Sequence, residues 1–311
     1  MASYTSLDPS AYPNTGLLAS KLFDVSGFKA VVTGGGTGIG LMITQALVAN
    51  GATVYISGRR KEALDTVVEK YSGKGGPHAG KIIAAPADIT DKEDIKRLAL
   101  EIKEKEPNGI HLLVNNAGVA KEKETTSYKT GEPDFSNADS ITEHLWKATP
   151  ESWAETFETN LTAQFFCSVA FLPLLSKGTA NTLGYSASII NITSISGVLK
   201  GSSSGQFAYA TSKAGFIHLT RMLGTTFAEC KVRVNSIAPG IFPSEMTADS
   251  SDENQKSELK GMGKSLPAKR TGGDADMAAA VLYLAGPGGV FLNGQVLYPD
   301  GGNILTSPSS T

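Results

Sequence analysis

The sequence predicts an α/β protein: a single doubly wound domain whose seven-stranded parallel sheet carries helices on both faces. Three observations lead there. Short apolar runs alternate with stretches of helical apolar spacing. The runs are continuous, as strands buried on both faces require. No linker, repeat or shift of composition divides the 311 residues. Parallel crossovers need covering helices and are right-handed, so the alternation defines the architecture.

The elements follow in order. FKAVVTG (28–34) is a β-branched run that ends in glycines, and 39–49 has helical spacing until Asn50 and Gly51 stop it. TVYIS (Thr53–Ser57), KIIAAPAD (81–88) and HLLVNNAG (111–118) are the next strands, separated by helical stretches at Lys61–Tyr71 and 91–105. SASIINIT (186–193), VRVNSIAPG (232–240) and QVLYPDGG (295–302) complete the sheet, with helices at 150–176, 209–228 and 275–285. Two polar, turn-rich segments, 121–148 and 244–264, fit the alternation badly. Structureless stretches of such length are functional loops or solvated insertions. The second leaves the carboxyl end of a strand and is expected to be a lid; the first reads as a lid or as a solvated insertion. Residues 1–20 and 304–311 are expected to be irregular tails of one domain spanning 1–311.

Composition narrows the function. Lysine and arginine number 28 against 30 acidic residues, a net charge of -2, which leaves no electrostatic footprint for nucleic acid or an anionic membrane. At 41% hydrophobic and 19% charged, the chain is too apolar to be disordered. The first twenty residues lack a basic n-region and an apolar h-region, and no run of eighteen apolar residues occurs, so neither export nor a membrane span is expected. Cys167 and Cys230 cannot build a disulfide framework and have no neighbour at metal-ligand spacing. A cytoplasmic protein without a metal is the expectation.

The first strand–helix turn reads Thr33-Gly34-Gly35-Gly36-Thr37-Gly38-Ile39-Gly40. It departs from the G-x-G-x-x-G spacing, placing its key glycines at Gly34, Gly38 and Gly40. The physical need is the same: a tight turn, close backbone approach to a pyrophosphate, and a helix N-terminus that offers free N–H groups to an anion. Asp88 ends the third strand and Asn115-Asn116-Ala117-Gly118 the fourth, both on the edge where open α/β sheets bind ligands. The second strand ends in Ser57-Gly58-Arg59-Arg60, where an NAD-specific domain places an acid against the ribose 2′-hydroxyl. A carboxylate would repel a 2′-phosphate; Arg59 meets it with a charged fork and Ser57 adds a neutral bond, which predicts NADP.

Tyr209 and Lys213, at i and i+4, share a helix face, so an ammonium near the phenol is expected to lower its pKa from about 10. Such pairs are common on ordinary helices; position sets this one apart. The strand IINIT delivers Ser194 and Ser196 at its carboxyl end, and Asn160 is a polar residue on an otherwise apolar helix face, costly unless satisfied.

Taken in order, TGGGTGIG, NNAG, ETNLTAQFF, INITSISG, YATSK, NSIAPG and LNGQVLYPDGG resemble the short-chain dehydrogenase/reductase family in its compact single-domain form, over roughly residues 26–303. The resemblance implies a Rossmann-like domain that transfers a hydride between a nicotinamide and a carbonyl or secondary alcohol. It makes Tyr209 the proton donor in reduction and Ser194 the hydrogen-bond donor to the carbonyl. Lys213 would depress the tyrosine pKa and hold the nicotinamide ribose, Asn160 would hold a relay water, and Pro239, Gly240 and Ile241 would hold the nicotinamide amide. One departure stands: the family places its serine about thirteen residues before the tyrosine, whereas Ser194 precedes Tyr209 by fifteen and Ser196 by thirteen. Local context favours Ser194, an insertion within 200–206 absorbs the difference, and Ser196 is the alternative.

The expected function is therefore NADPH-dependent reduction of a small carbonyl compound; a catalytically silent dinucleotide sensor is the competing reading. Val198, Phe207, Phe242 and Met246 are candidate pocket residues for an apolar ketone. Helices 150–176 and 209–228 carry more apolar residues than one buried face requires, including Trp153, Phe157, Leu161, Phe165, Phe166 and Val169, which together with the resemblance predicts a homo-oligomer, a tetramer.

Overall fold

The structure, a computed structural model, describes residues 14–248, 250–259 and 261–310. Seven parallel strands, β1 (Lys29–Thr33), β2 (Thr53–Ser57), β3 (Lys81–Ala84), β4 (Leu112–Asn115), β5 (Ser188–Ile192), β6 (Arg233–Ile237) and β7 (Val296–Leu297), form one sheet in the order β3-β2-β1-β4-β5-β6-β7. The order reverses between β1 and β4, the switch point at which such sheets open a crevice. Register levels the strand ends there: Thr33 lies beside Ser57, and Val32 beside Val114. Every residue of β4, β5 and β6 is buried, as continuous apolar strands between two helical layers must be.

The helices are α1 (Ala19–Leu22), α2 (Gly38–Ala49), α3 (Lys61–Tyr71), α4 (Lys92–Lys105), α5 (Ala138–Leu145), α6 (Pro150–Phe157), α7 (Ala163–Ala180), α8 (Phe207–Thr226), α9 (Glu245–Ala248), α10 (Asp274–Ala285) and α11 (Asn303–Thr306). α2 packs with α10, while α4 packs with α7 and α6 with α8. The predicted strands overrun at their carboxyl ends. Ala85–Asp88, Asn116–Gly118 and Ala238–Gly240 extend the apolar or small-residue runs but leave the ladder to form loops.

Four further departures matter. The helix expected over 150–176 is α6 and α7 joined by a π-helical turn at Glu158–Thr162, which holds Asn160 fully buried. Pro150–Ala180 is the one helix among the described residues long and apolar enough to cross a membrane; here α7 packs on β4 and buries Gln164, Cys167, Ser168 and Phe171. Segment 121–148 is not structureless: it contains a 3-10 turn at Tyr128–Thr130 and the helix α5, started by Asn137, whose side chain accepts from the Asp139 and Ser140 amides. Its buried residue is a histidine, His144, so apolar periodicity gave no sign of it.

Segment 244–264 is pinned rather than free. Arg60 pairs with Glu245, Lys70 and Tyr71 bond Asn254, and Lys256 pairs with Asp274. The carboxyl tail is ordered by α11 and by an antiparallel bridge between Ser309 and Leu199. The amino-terminal tail expected over 1–20 lies outside the described residues up to position 13; beyond it are a 3-10 turn, Asn14–Leu17, and α1.

Candidate active site

A cleft of about 550 Å³ opens at the carboxyl ends of the central strands. Its floor is the glycine turn. Gly34 and Gly38 have positive φ (65° and 51°), which only glycine adopts without strain. Gly40 is required by packing: a Cβ there would collide with the Gly34 carbonyl and stand 2.5 Å from Asn116 Nδ2. Thr37, the N-cap of α2, makes no side-chain capping bond, so the first-turn N–H groups around Gly38, Ile39 and Gly40 face the cleft without that partner.

Thr33, which the sequence reading passed over, fastens this turn to the neighbouring loop. Its hydroxyl accepts the Asn116 and Ala117 amides (3.0 and 3.2 Å) and donates to Val114 O (3.3 Å). Asn116 Nδ2 donates in return to Thr33 O and Gly34 O (2.9 and 3.1 Å). Its threonine–glycine context was the available signal.

At the far end, Ser57, Arg59 and Asp88 line the cleft as the sequence predicts. The Ser57 hydroxyl is buried and has no partner. Arg60 is committed to Glu245 by a forked ion pair (3.2 and 2.7 Å). Asp88 Oδ1 accepts both the amide and the hydroxyl of Thr90 (3.0 and 2.7 Å). A glycine cradle, an uncapped helix start and an orphaned buried hydroxyl beside an exposed arginine fit a dinucleotide phosphate.

At the other end stand Ser194, Tyr209 and Lys213. Ser194 lines the cleft with Tyr209, and its hydroxyl accepts the Ser196 amide (3.1 Å). Ser196 turns away, its hydroxyl bonded to Ser203 (2.8 Å). Lys213 Nζ donates to Ile192 O (3.0 Å) and stands 5.7 Å from the centroid of the Tyr209 ring.

The electrostatics correct one expectation. Burial pushes the Tyr209 phenol up from its ordinary value, the nearby Ser194 hydroxyl opposes this, and the Glu122 charge adds to it. Lys213 does not reverse the balance, because burial pushes its own amine down to about 8.

Four residues expected at the site lie elsewhere. Asn160 does not line the cleft: its amide nitrogen donates to Val119 O (2.8 Å) and Ser212 Oγ (3.1 Å), and its oxygen accepts the Val119 amide (2.8 Å). Pro239 and Gly240 line the cleft but Ile241 does not; its carbonyl accepts the Gly272 amide (3.0 Å). Of the pocket candidates, Phe242 and Met246 reach the cleft, whereas Val198 and Phe207 do not line it. Gly118 does, 3.1 Å from Asn160 Oδ1 and 3.4 Å from Lys213 Nζ if given a Cβ, so a side chain there would crowd both.

This fold and site define a dinucleotide-dependent oxidoreductase, and comparison with known proteins agrees. The short chain dehydrogenase family model matches residues 29–255. The chain is 40% identical over 299 residues to the short-chain dehydrogenase/reductase PhomF of Diaporthe leptostromiformis, covering 94% of this chain and 97% of that protein. It is 33% identical over 282 residues to the rhamnolipids biosynthesis 3-oxoacyl-[acyl-carrier-protein] reductase of Pseudomonas aeruginosa, covering 90% and 97%. Among solved structures it resembles the Pseudomonas aeruginosa RhlG/NADP active-site complex (TM-score 0.71, 32% identity, 90% of this chain and 98% of that one). It also resembles 7α-hydroxysteroid dehydrogenase complexed with NADH and 7-oxo glycochenodeoxycholic acid (TM-score 0.72, 26% identity, 92% and 97%). The chain belongs to the short-chain dehydrogenase/reductase family and is an NAD(P)-dependent oxidoreductase.

Proposed function

We propose that the protein is an NADPH-dependent reductase that converts an apolar carbonyl compound to a secondary alcohol, or runs the reverse, with Tyr209 as proton donor. The carrying observation is the convergence of Ser194, Tyr209 and Lys213 on one end of the cleft whose other end is the glycine turn. A silent sensor needs only the cofactor residues. The N–H groups around Gly38–Gly40 would hold the pyrophosphate, and Ser57 with Arg59 the 2′-phosphate. Asp88 and the Asn116–Gly118 loop would flank the adenosine, Lys213 would hold the nicotinamide ribose, and Pro239 and Gly240 the nicotinamide amide. When bound, the nicotinamide supplies the hydride.

The chain's own residues handle the proton. Ser194 donates to the carbonyl oxygen and stabilises the charge that develops there. Tyr209 gives the same oxygen its proton. Its raised pKa suits an acid, because the phenol keeps its proton until the substrate becomes more basic. Lys213, still largely protonated at neutrality, stabilises the phenolate as it forms. The Asn160 side chain is engaged with Val119 and Ser212 away from the cleft, so it is not placed to hold the relay water that the family resemblance implies.

Two of the relatives, a 3-oxoacyl reductase and a hydroxysteroid dehydrogenase bound to an oxo acid, support ketone chemistry. The apolar groove between α7 and α8, with Phe165, Val169 and Met222 exposed, supports self-association, and light scattering that shows a monomer at micromolar concentration would refute it. The test of the central reading is Tyr209→Phe. It is expected to lower kcat by about 10² to 10⁴ with NADPH binding nearly unchanged; retention of more than about a tenth of kcat contradicts it.

A further inference from the structure

Glu122 stands at the start of the 121–148 insertion, and its side chain is fully buried. Oε1 accepts the backbone N–H groups of Ala208 (2.5 Å) and Tyr209 (3.2 Å), first-turn donors of α8 that have no partner within the helix. Oε2 is buried without a partner. The helix supplies no substitute, since Gln206, at its N-cap, makes no side-chain capping bond.

The insertion grips the approach to α8 as well. Thr126 Oγ1 donates to Gly205 O (2.6 Å), Tyr128 N donates to Ser204 O (2.9 Å), and Ser202 Oγ donates to the Tyr128 hydroxyl (3.0 Å). His144 of α5 bonds Thr126 O in turn (2.9 Å). Ser203, Ser204 and Gly205 all have positive φ (54°, 57° and 84°), a run that serines adopt only when their surroundings impose it. Gly205 has no alternative, because a Cβ would strike Thr126 O and lie 2.8 Å from the Tyr128 ring.

We propose that Glu122 is a positioning residue for Tyr209 and that the 121–148 insertion is the buttress that delivers it: the carboxylate caps the first turn of α8 and so fixes where the phenol stands beside Ser194. The proposal rests on Tyr209 being the proton donor. Burial, Ser194 after β5 and Glu122 from the insertion set the phenol's electrostatics, and the Lys213 amine on α8 faces its ring. The Glu122 charge favours the protonated phenol and the nearby Ser194 hydroxyl opposes it. The insertion thus holds the tyrosine in the form that gives up a proton.

Glu122→Gln keeps the Oε1 acceptor and removes the charge; Glu122→Ala removes both. Tyrosinate absorbance between pH 9 and 11, roughly the range of the free phenol, taken as the difference between each protein and its Tyr209→Phe counterpart, reads Tyr209 alone and needs no substrate. Glu122→Gln is expected to show about threefold more Tyr209 tyrosinate than wild type at a given pH, the effect of losing one nearby negative charge. In Glu122→Ala the Ala208 and Tyr209 amides are expected to exchange with deuterium at least about tenfold faster, with little change in Glu122→Gln. Should the alanine variant fail to fold, Glu122→Asp, which shortens the reach to α8, replaces it. Unchanged tyrosinate in Glu122→Gln, or unchanged exchange in the capping variant, overturns the proposal. Turnover that survives in Tyr209→Phe overturns the proton-donor reading instead, and leaves the exchange and titration results as the measure of the cap.

Discussion

Replacing Arg59 with alanine is expected to weaken NADPH binding about tenfold while NADH binding hardly moves. The register that sets Thr33 beside Ser57 carries the end of β2 to the glycine turn, and the strand ends in Ser57-Gly58-Arg59-Arg60 rather than in an acid of its own that would repel a 2′-phosphate. The two arginines that follow are not equivalent. Arg60 is held by Glu245 with N–O distances of 3.2 and 2.7 Å, so a carboxylate offsets its charge at close range. Arg59 is exposed on the cleft wall and has no ion pair among the described residues. A charge-assisted hydrogen bond contributes about 1.5–3 kcal/mol. Solvent screening of an exposed guanidinium argues for the lower end, and about 1.5 kcal/mol corresponds to roughly tenfold in Kd. Titration calorimetry with NADPH and NADH, at low and high salt, checks both size and origin, because the loss should shrink as salt screens the pair. Glu245→Gln releases Arg60 and should move the preference further toward NADPH. Equal losses for both cofactors in Arg59→Ala, or equal wild-type affinities, would refute the reasoning.

Three other outcomes follow from the site. Ser194→Ala is expected to lower kcat at least about tenfold and Ser196→Ala much less, because Ser194 lines the cleft with Tyr209 while Ser196 is bonded to Ser203; the reverse order in parallel assays would transfer the role. Lys213 is pushed down to about 8 by burial, and an anionic dinucleotide should raise it again. The complex then holds a proton that the free protein has lost, so NADPH affinity falls as pH rises through about 8, and calorimetry in buffers of different ionisation enthalpy should register proton uptake there; zero uptake contradicts this. Gly40→Ala should lose at least about tenfold in NADPH affinity, measured by cofactor fluorescence, with its far-ultraviolet dichroism intact, because the added methyl displaces the Gly34 carbonyl. Wild-type affinity would show that the turn does not carry the pyrophosphate.

The sheet was legible because burial on both faces leaves a local trace: VVT, VYIS, IINI and VNSI are continuous apolar or small-residue runs, and no distant partner is needed to recognise them. Their carboxyl limits were not legible, since Ala-Pro-Ala-Asp and Asn-Ala-Gly continue the pattern after the ladder ends. The helix α5 was hidden because its one buried side chain is a histidine.

The sequence by itself determined the parts of the site whose chemistry is local. Glycines mark the turn because no other residue tolerates that approach of chain to chain, and Tyr209 and Lys213 share a helix face by spacing alone. Tertiary structure alone decided which serine shares the cleft with the phenol, that Asn160 commits its side chain to Val119, and that Arg60 is neutralised by a residue 185 positions away. It also decided that Glu122, an unremarkable acid in a polar insertion, lies buried against the first turn of the tyrosine helix. Spacing along a chain records which side chains share an element; it does not record which elements fold against one another, and the charge, burial and hydrogen-bond partners that tune this site all come from those contacts.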